Sequence, residues 1–385
     1  MNPVYASMPT TVFEEMSGLA RELGAINLGQ GFPEGDEPAP LLEAAARALH
    51  ERSNQYPPSK GLPALREAVA GFYRRTQALD LVADEVIVTS GATEALAAAL
   101  LAVVSPGDEV IVFEPMYDAY RPLIERAGGI AVPLVLHPPG WSLPIGALAS
   151  AIGPRTRALV LNNPVNPVAK VFGKSELAAL AELCVAHDLV AICDEVWEQV
   201  LFDGAVHVPL IGLAGMAART IKIGSAGKIF GLTGWKVGFV VAAPELLGPV
   251  ANAHQFLTFT TPPNLQAAVA EGLALPPAFF ADQLARLAAA RAGLRDRLTS
   301  AGFAVLPGDG TYFMICDAAA SGLAGSDVAV TRRMVHEAGV AAIPLAPFYM
   351  TAAPEGLVRF CFAKPLAVLD EAVERLARWR DGLRA

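Results

Sequence analysis

The sequence predicts an α/β fold: a large unit with a mostly parallel, buried sheet, followed by a smaller α+β unit. Three observations lead there. From about residue 84 to 242, short runs of β-branched residues alternate with longer helical runs, the pattern of strands joined by crossover helices. Those strands are continuously apolar, as strands buried on both faces are. Past about residue 280 the order changes to long helices interleaved with short strands, which reads as a second, mixed unit.

Taken in order, residues 1 to about 40 read as an arm joining the smaller unit, residues 41–280 as the large unit and 281–385 as the small one. In the arm, Thr11 to Leu23 forms a short helix and Asn27 to Pro33 a loop punctuated by Gly and Pro. Pro40 to Arg52 and Leu62 to Thr76 are helices with Pro near the start, where a missing N–H does no harm. The strands are Glu85–Thr89, Glu109–Phe113, Arg157–Leu161, Leu189–Cys193, Thr220–Gly224 and Val237–Ala242. Ser175 is expected to cap the helix Glu176–His187. Beyond 280 come a helix over about 281–301, strands near Phe303–Val305 and Tyr312–Cys316, a helix Asp327–Ala338, strands Val340–Ile343 and Leu357–Phe362, and a last amphipathic helix Leu366–Leu383.

Composition narrows the function classes. Apolar residues make up 53% and charged residues 17%, so 385 residues can bury a large core and the chain is not of the disordered type. A net charge of −9 and the lack of a long Lys/Arg block argue against a nucleic-acid partner. The N-terminus has no basic-then-apolar leader pattern, and no apolar run is long enough to cross a bilayer, so a cytoplasmic location is expected and no membrane partner. Cys184, Cys193, Cys316 and Cys361 form no CxxC pair and sit in apolar surroundings, which reads as buried free thiols. No metal is expected.

The unusual polar residues fall at the carboxyl ends of successive strands, where ligands bind in open α/β sheets. Thr89 leads to Gly91-Ala92-Thr93, Phe113 to Tyr117, Leu161 to Asn162 and Asn166, Cys193 to Asp194, and Gly224 to Ser225 and Lys228. Lys228 lies between a run of small residues and Ile229-Phe230. Apolar surroundings disfavour its charged form and free the amine as a nucleophile, although a lone lysine of this kind is more often a loop-tip residue. Gly91-Ala92-Thr93 opens a helix and suits an anion, or is an ordinary turn. Ser225 and Lys236 add a hydroxyl and a cation. Tyr117 either stacks on a flat ring or packs in the core. Asp194, at the end of a buried strand, calls for a cationic or donor partner. Arg359, within an apolar strand, either forks onto a carboxylate or makes an internal ion pair. An amine nucleophile, an anion cradle, a stacking ring and a carboxylate for a ring nitrogen together describe pyridoxal phosphate.

At this point the chain resembles a known family, the class I, fold-type I pyridoxal-phosphate aminotransferases, over its whole length, and most closely the branch holding kynurenine–oxoglutarate and bacterial methionine aminotransferases. The motifs are NLGQGFP at Asn27 to Pro33, Asn54-Gln55-Tyr56, TSGATEAL at Thr89 to Leu96, NNPVNP at Asn162 to Pro167, Asp194-Glu195-Val196, GSAGK ending at Lys228, TGWKVG at Thr233 to Gly238, and Arg359 to Phe362. The resemblance implies a seven-stranded sheet and a homodimer with shared active sites. It implies that Lys228 is the Schiff-base lysine and proton shuttle, and that Asp194 faces the pyridinium nitrogen. Asn166 would bond the ring hydroxyl oxygen and Tyr117 would stack on the ring. Gly91, Ala92, Thr93, Ser225 and Lys236 would hold the phosphate, with Tyr56 entering from the partner subunit. Arg359, Asn162 and the backbone at Gly31 would hold the substrate α-carboxylate. Phe13, and Phe259 from the partner subunit, would shape an apolar side-chain pocket. The activity implied is transamination of an apolar, sulfur-containing or aromatic L-amino acid with a 2-oxo acid; the alternative is a β-lyase acting on cysteine conjugates at the same site.

One position departs from the family. Trp197 stands where the family usually has a tyrosine that donates to the ring hydroxyl oxygen. Indole can donate but is longer and cannot accept. Weaker stabilisation of the ring phenolate is therefore expected here. Trp197→Tyr should move the pH transition of the cofactor absorbance to lower pH; an unshifted transition removes the idea.

Overall fold

The computed structural model describes residues 1–385 except Ser7, Asp36, Arg384 and Ala385. Its centre is a seven-stranded sheet in the order Val86–Thr89, Gly238–Val241, Thr220–Ser225, Val190–Asp194, Thr156–Asn162, Glu109–Glu114, Ile130–Val135. Gly238–Val241 runs antiparallel to both its neighbours; the remaining pairs are parallel. The reversed strand sits between two strands that run with the rest. Thr89, Asn162, Asp194 and Ser225, each the last residue of its strand, therefore reach the same edge of the sheet. The strands Val86–Thr89, Val190–Asp194, Thr220–Ser225 and Gly238–Val241 are buried along their whole length, which is why they read as continuous apolar runs.

Ile130–Val135 is a strand the sequence pattern did not single out. It lies at the sheet edge, is only partly buried, and holds Pro133, a residue that edge strands tolerate because no donor is required on the open side. The helix expected from Glu176 runs from Lys174 to Ala186. Ser175 is inside its first turn and is not the cap. Gly173 takes that place, and Glu176 reaches back to accept the Gly173 N–H at 2.9 Å. Carboxylates in the first turn suit the helix dipole, and this one also ion-pairs with Lys170 at 3.2 Å.

The C-terminal part carries a four-stranded sheet in which Ile343–Pro344, Leu357–Cys361, Phe313–Asp317 and Ala304–Val305 pair antiparallel. The connecting helix Pro277–Ser300 starts four residues earlier than the sequence suggested, because Pro276 and Pro277 open it as an N-terminal pair. The arm joins the same part through a separate two-stranded sheet. Thr11 caps the helix Val12–Leu23, Gly24 ends it at φ 61°, and Ile26–Asn27 pairs parallel with Val340–Ala341. Met16 and Ala20 of that helix share a buried cluster with Val335, Ile343 and Phe348. The arm thereby carries Gly29 and Gly31 across the carboxyl edge of the large sheet. All four cysteines are free and buried.

Behind Asp194 lies a buried charged group. Lys222 bonds both Glu195 and, at 2.5 Å, Glu198; Tyr73 donates to Glu198 at 2.7 Å, and His207 lies 3.0 Å from Glu195. Burial alone would raise the Glu195 carboxyl, but Lys222 and His207 bring it down to about 2. Glu195, Glu198 and His207 stand close enough together to ligate a cation. The Lys222 ammonium already bonds both carboxylates and supplies that positive charge.

Candidate active site

A cavity of about 210 Å³ opens at the carboxyl edge of the large sheet. Eleven of the residues selected from sequence line it: Gly91, Ala92, Thr93, Tyr117, Asn162, Asn166, Asp194, Trp197, Ser225, Lys228 and Lys236. The same edge explains the grouping, since each residue ends a strand or lies in the segment that follows one, and Lys236 leads into the reversed strand Gly238–Val241.

One end of the cavity is built for an anion. The helix Gly91–Val103 begins there, with unpaired N–H groups pointing outward. Gly91 has φ +76°, and a Cβ on it would lie 3.2 Å from the Lys236 Nζ. Lys236 itself is in the left-handed conformation, at φ 54°, which turns its ammonium over the helix N-terminus. A Cβ at Gly238 would come within 2.6 Å of the Gly91 carbonyl carbon. Only glycine lets the strand and the helix start approach this closely, and the approach brings Ser225 and Lys236 to the Gly91-Ala92-Thr93 turn.

The opposite wall carries Asp194. It is 5% exposed. Its Oδ2 accepts the Tyr120 hydroxyl at 2.6 Å, while its Oδ1 is buried without a partner. Burial pushes the carboxyl up to about 6, against the lowering effect of the Tyr120 bond. An unpartnered carboxylate oxygen facing a cavity is costly unless a ligand donor meets it. A protonated ring nitrogen is such a donor, so the residues present fit pyridoxal phosphate. Tyr120 escaped the sequence reading. It lies three residues after Tyr117, at the start of the helix Tyr120–Arg126, and the two rings meet edge-to-face at 5.8 Å; that spacing was the available signal.

Asn162, Asn166 and Arg359 form one chain of bonds. Asn162 donates to the Asp194 carbonyl at 2.8 Å and accepts the Asn166 N–H at 2.6 Å. Arg359 Nη1 donates to Asn166 Oδ1 at 2.8 Å, which leaves the Asn166 amide N–H₂ for another partner, and Nη2 donates to the Gly29 carbonyl at 2.9 Å. The Arg359 Nε is buried and unpartnered. Burial pushes the guanidinium down to about 10, and it remains charged at neutral pH. It lies 3.8 Å from the Phe313 ring centroid, 5.2 Å from Phe13 and 5.7 Å from Phe348. Arg359→Lys keeps the charge but loses the fork. KM for an amino donor is expected to rise about 10- to 100-fold with little change in kcat, from charge-assisted bonds made equally in ground and transition states, as steady-state kinetics will read.

Lys228 sits in the short helix Ala226–Ile229 after strand Thr220–Ser225. Its Nζ donates to the Tyr312 hydroxyl at 3.1 Å and to the Gly31 carbonyl at 3.3 Å. Burial pushes its amine down to about 8. Tyr312 was not foreseen; it follows the turn Gly308–Thr311 into strand Phe313–Asp317 and reaches Lys228 only because the two sheets meet there.

Two predicted residues lie elsewhere. Tyr56 is 81% exposed and packs edge-to-face on Phe259 at 5.4 Å. Neither lines the cavity of its own chain.

The model of the aminotransferase class I and II family matches residues 24–376. The chain is 45% identical over 380 residues to a probable N-succinyldiaminopimelate aminotransferase of Mycobacterium tuberculosis, covering 96% of each. It is 39% identical over 368 residues to the methionine aminotransferase of Escherichia coli, covering 95% of each. The solved structure of N-succinyldiaminopimelate aminotransferase from Mycobacterium tuberculosis superposes with a TM-score of 0.96 at 44% identity, over 98% of this chain and 100% of that one. No helix among the described residues is long and apolar enough to cross a membrane. With Lys228, Asp194 and the helix start at Gly91 gathered at one sheet edge, the chain belongs to the class I and II aminotransferases and is a pyridoxal-phosphate-dependent, fold-type I enzyme.

Proposed function

We propose that the protein moves the amino group of an apolar, sulfur-containing or aromatic L-amino acid to a 2-oxo acid. The observation that carries this is the wall around Arg359: three phenyl rings, Phe13, Phe313 and Phe348, lie within 6 Å of the guanidinium. A carboxylate held there places its side chain beside rings, where apolar area is favourably buried. Of the two lysines that line the cavity, Lys236 is turned to the anion end and Lys228 is the nucleophile, so neither serves a distal carboxylate.

In this reading each residue has a defined task. Arg359, with Asn162 and the backbone at Gly31, orients the substrate α-carboxylate. Gly91, Ala92, Thr93, Ser225 and Lys236 hold the cofactor phosphate, Tyr117 packs on its ring, Asn166 with Trp197 attends the ring hydroxyl oxygen, and Asp194 keeps the ring nitrogen protonated. Pyridoxal phosphate supplies the electron-withdrawing ring that makes the substrate Cα–H acidic. Lys228, with its amine near neutrality, takes that proton and returns it. Residues 1–40, 41–280 and 281–385 act as arm, large unit and small unit. The exposed pair Tyr56 and Phe259 supports a homodimer in which both enter the partner's site.

A second donor has its own support. The relative at 45% identity favours N-succinyldiaminopimelate. The deciding experiment is a donor panel of methionine, phenylalanine, leucine, kynurenine and N-succinyldiaminopimelate, followed as the half-reaction change in cofactor absorbance. Apolar donors should exceed N-succinyldiaminopimelate at least tenfold in kcat/KM; the reverse order replaces the proposal with the second reading. Pyruvate release from cysteine conjugates without an oxo-acid acceptor would mark the β-lyase.

A further inference from the structure

Trp197 has no obvious reason to replace a ring-hydroxyl donor, yet its surroundings are tightly arranged. It is 2% exposed. Tyr312 meets it edge-on at 4.3 Å and 90°, and Phe313 at 5.4 Å and 72°. The Lys228 Nζ lies 4.6 Å from the indole centroid, inside the distance at which a cation is attracted by a ring's quadrupole. Tyr312 donates its hydroxyl hydrogen to the Gly31 carbonyl at 2.5 Å, so its oxygen turns lone pairs to the amine. An ammonium has three N–H groups. Here two meet the Gly31 carbonyl and the Tyr312 oxygen, which leaves the third for the indole face beside the nitrogen.

We propose that Trp197, Tyr312 and the Gly31 carbonyl form a dock for the protonated, cofactor-free side chain of Lys228, and that Trp197 is the part of the dock that selects the charged form. The proposal rests on the reading of Lys228 as the proton carrier. With the cofactor bonded to substrate, Lys228 would be a free amine. It would accept the Cα proton, the C–H electron pair being left to the electron-withdrawing ring that the cofactor would supply, and would hold that proton as an ammonium until it is returned. A water-poor pocket opposes the charge. The indole opposes it less than an aliphatic wall would, because a desolvated cation gains more from a π face than an exposed one.

Other charges face the same amine. Asp194 and Cys361 favour its protonation, whereas Arg359 and Lys236 disfavour it. None of them contacts it within hydrogen-bonding distance.

The test uses the full chain loaded with pyridoxamine phosphate, in which Lys228 carries no bond to the cofactor. Trace labelling with acetic anhydride between pH 6.5 and 10, read by mass spectrometry of the Lys228 peptide, reports the pH at which the amine becomes reactive. Phenylalanine and leucine at position 197 leave similar space and admit similar water, and differ in the π face. The midpoint should fall in the order wild type, Trp197→Phe, Trp197→Leu, with Leu lying about half to one pH unit below wild type. At pH 7.5, for a wild-type midpoint near 8, this is a roughly 2- to 3-fold rise in labelling. Any other order, or equal midpoints for Phe and Leu, overturns the proposal. If Trp197→Leu does not fold, Tyr312→Phe decides: it removes the accepting oxygen and should lower the midpoint, and an unchanged midpoint rejects the dock. Because labelling is read without turnover, this outcome is separate from the donor panel, which tests the transamination itself.

Discussion

Lys228→Ala is expected to slow the amino-transfer half-reaction by about 10²- to 10⁴-fold or more, the range that a positioned proton carrier supplies. The amine is 3.1 Å from Tyr312 and 3.3 Å from the Gly31 carbonyl, and no other amine that lines the cavity can replace it, since Lys236 is turned to the Gly91 helix start. Single-turnover absorbance with methionine as donor measures the effect. Stability should move the other way. The Lys228 amine is pushed from 10.5 to about 8 by burial. A group whose folded pKa is depressed loses stability as pH falls through that value, so below pH 8 the cofactor-free protein carries a penalty of about 3 kcal/mol at this site. Removing the amine relieves it. The Tm of cofactor-free Lys228→Ala at pH 7 should be no lower than that of wild type; an inactive and clearly destabilised variant would point to a structural rather than chemical role.

Asp194→Asn is expected to lower kcat/KM by roughly 10²- to 10³-fold, the scale on which a preorganised charge acts in a water-poor site. Asparagine keeps the size of the side chain and a partner for Tyr120, but it brings no negative charge to a ring nitrogen. The cofactor-free protein offers an independent readout. Burial raises the Asp194 carboxyl from 3.8 to about 6. A raised folded pKa means that stability is fully present below about pH 4 and is lost as pH rises through 6, by about 3 kcal/mol for this shift. Asp194→Asn should remove that part of the pH dependence. The variant gains on wild type in Tm between pH 5 and 8 when cofactor-free, and binds pyridoxal phosphate more weakly. A parallel pH dependence in the two proteins would contradict the burial argument.

The site residues legible in the sequence are those tied to backbone geometry. Asp194 and Ser225 end apolar strands, Lys228 follows one such strand by three residues, and Gly91 opens a helix; strand ends and glycine turns leave marks in one dimension. Tyr120 and Tyr312 left weaker marks. Each is an aromatic residue in an apolar context, which usually means core, and each became a site residue only through hydroxyl bonds to groups far away in the chain: Tyr120 to Asp194, 74 residues on, and Tyr312 to the amine of Lys228, 84 residues back, and to the Gly31 carbonyl. The helix cap at Gly173 was missed for a related reason. Its N–H is satisfied by the Glu176 side chain, and the capping residue itself has no side chain to signal its place. The edge strand Ile130–Val135 was missed because partial burial and a proline blur the apolar run that marked its neighbours.

By itself the sequence determined the parallel buried sheet, the edge at which ligands bind, and the amine, carboxylate and anion cradle placed there. All of these follow from local periodicity and from strand ends that share a direction. Tertiary structure decided what surrounds those groups. It brought the arm to Arg359, turned Lys236 over the Gly91 helix, left one oxygen of Asp194 free by giving the other to Tyr120, and put the Lys228 amine between Trp197 and Tyr312. The reason is physical: a side chain's charge state depends on the partners and the water within a few ångströms of it, and the packing of distant segments sets both.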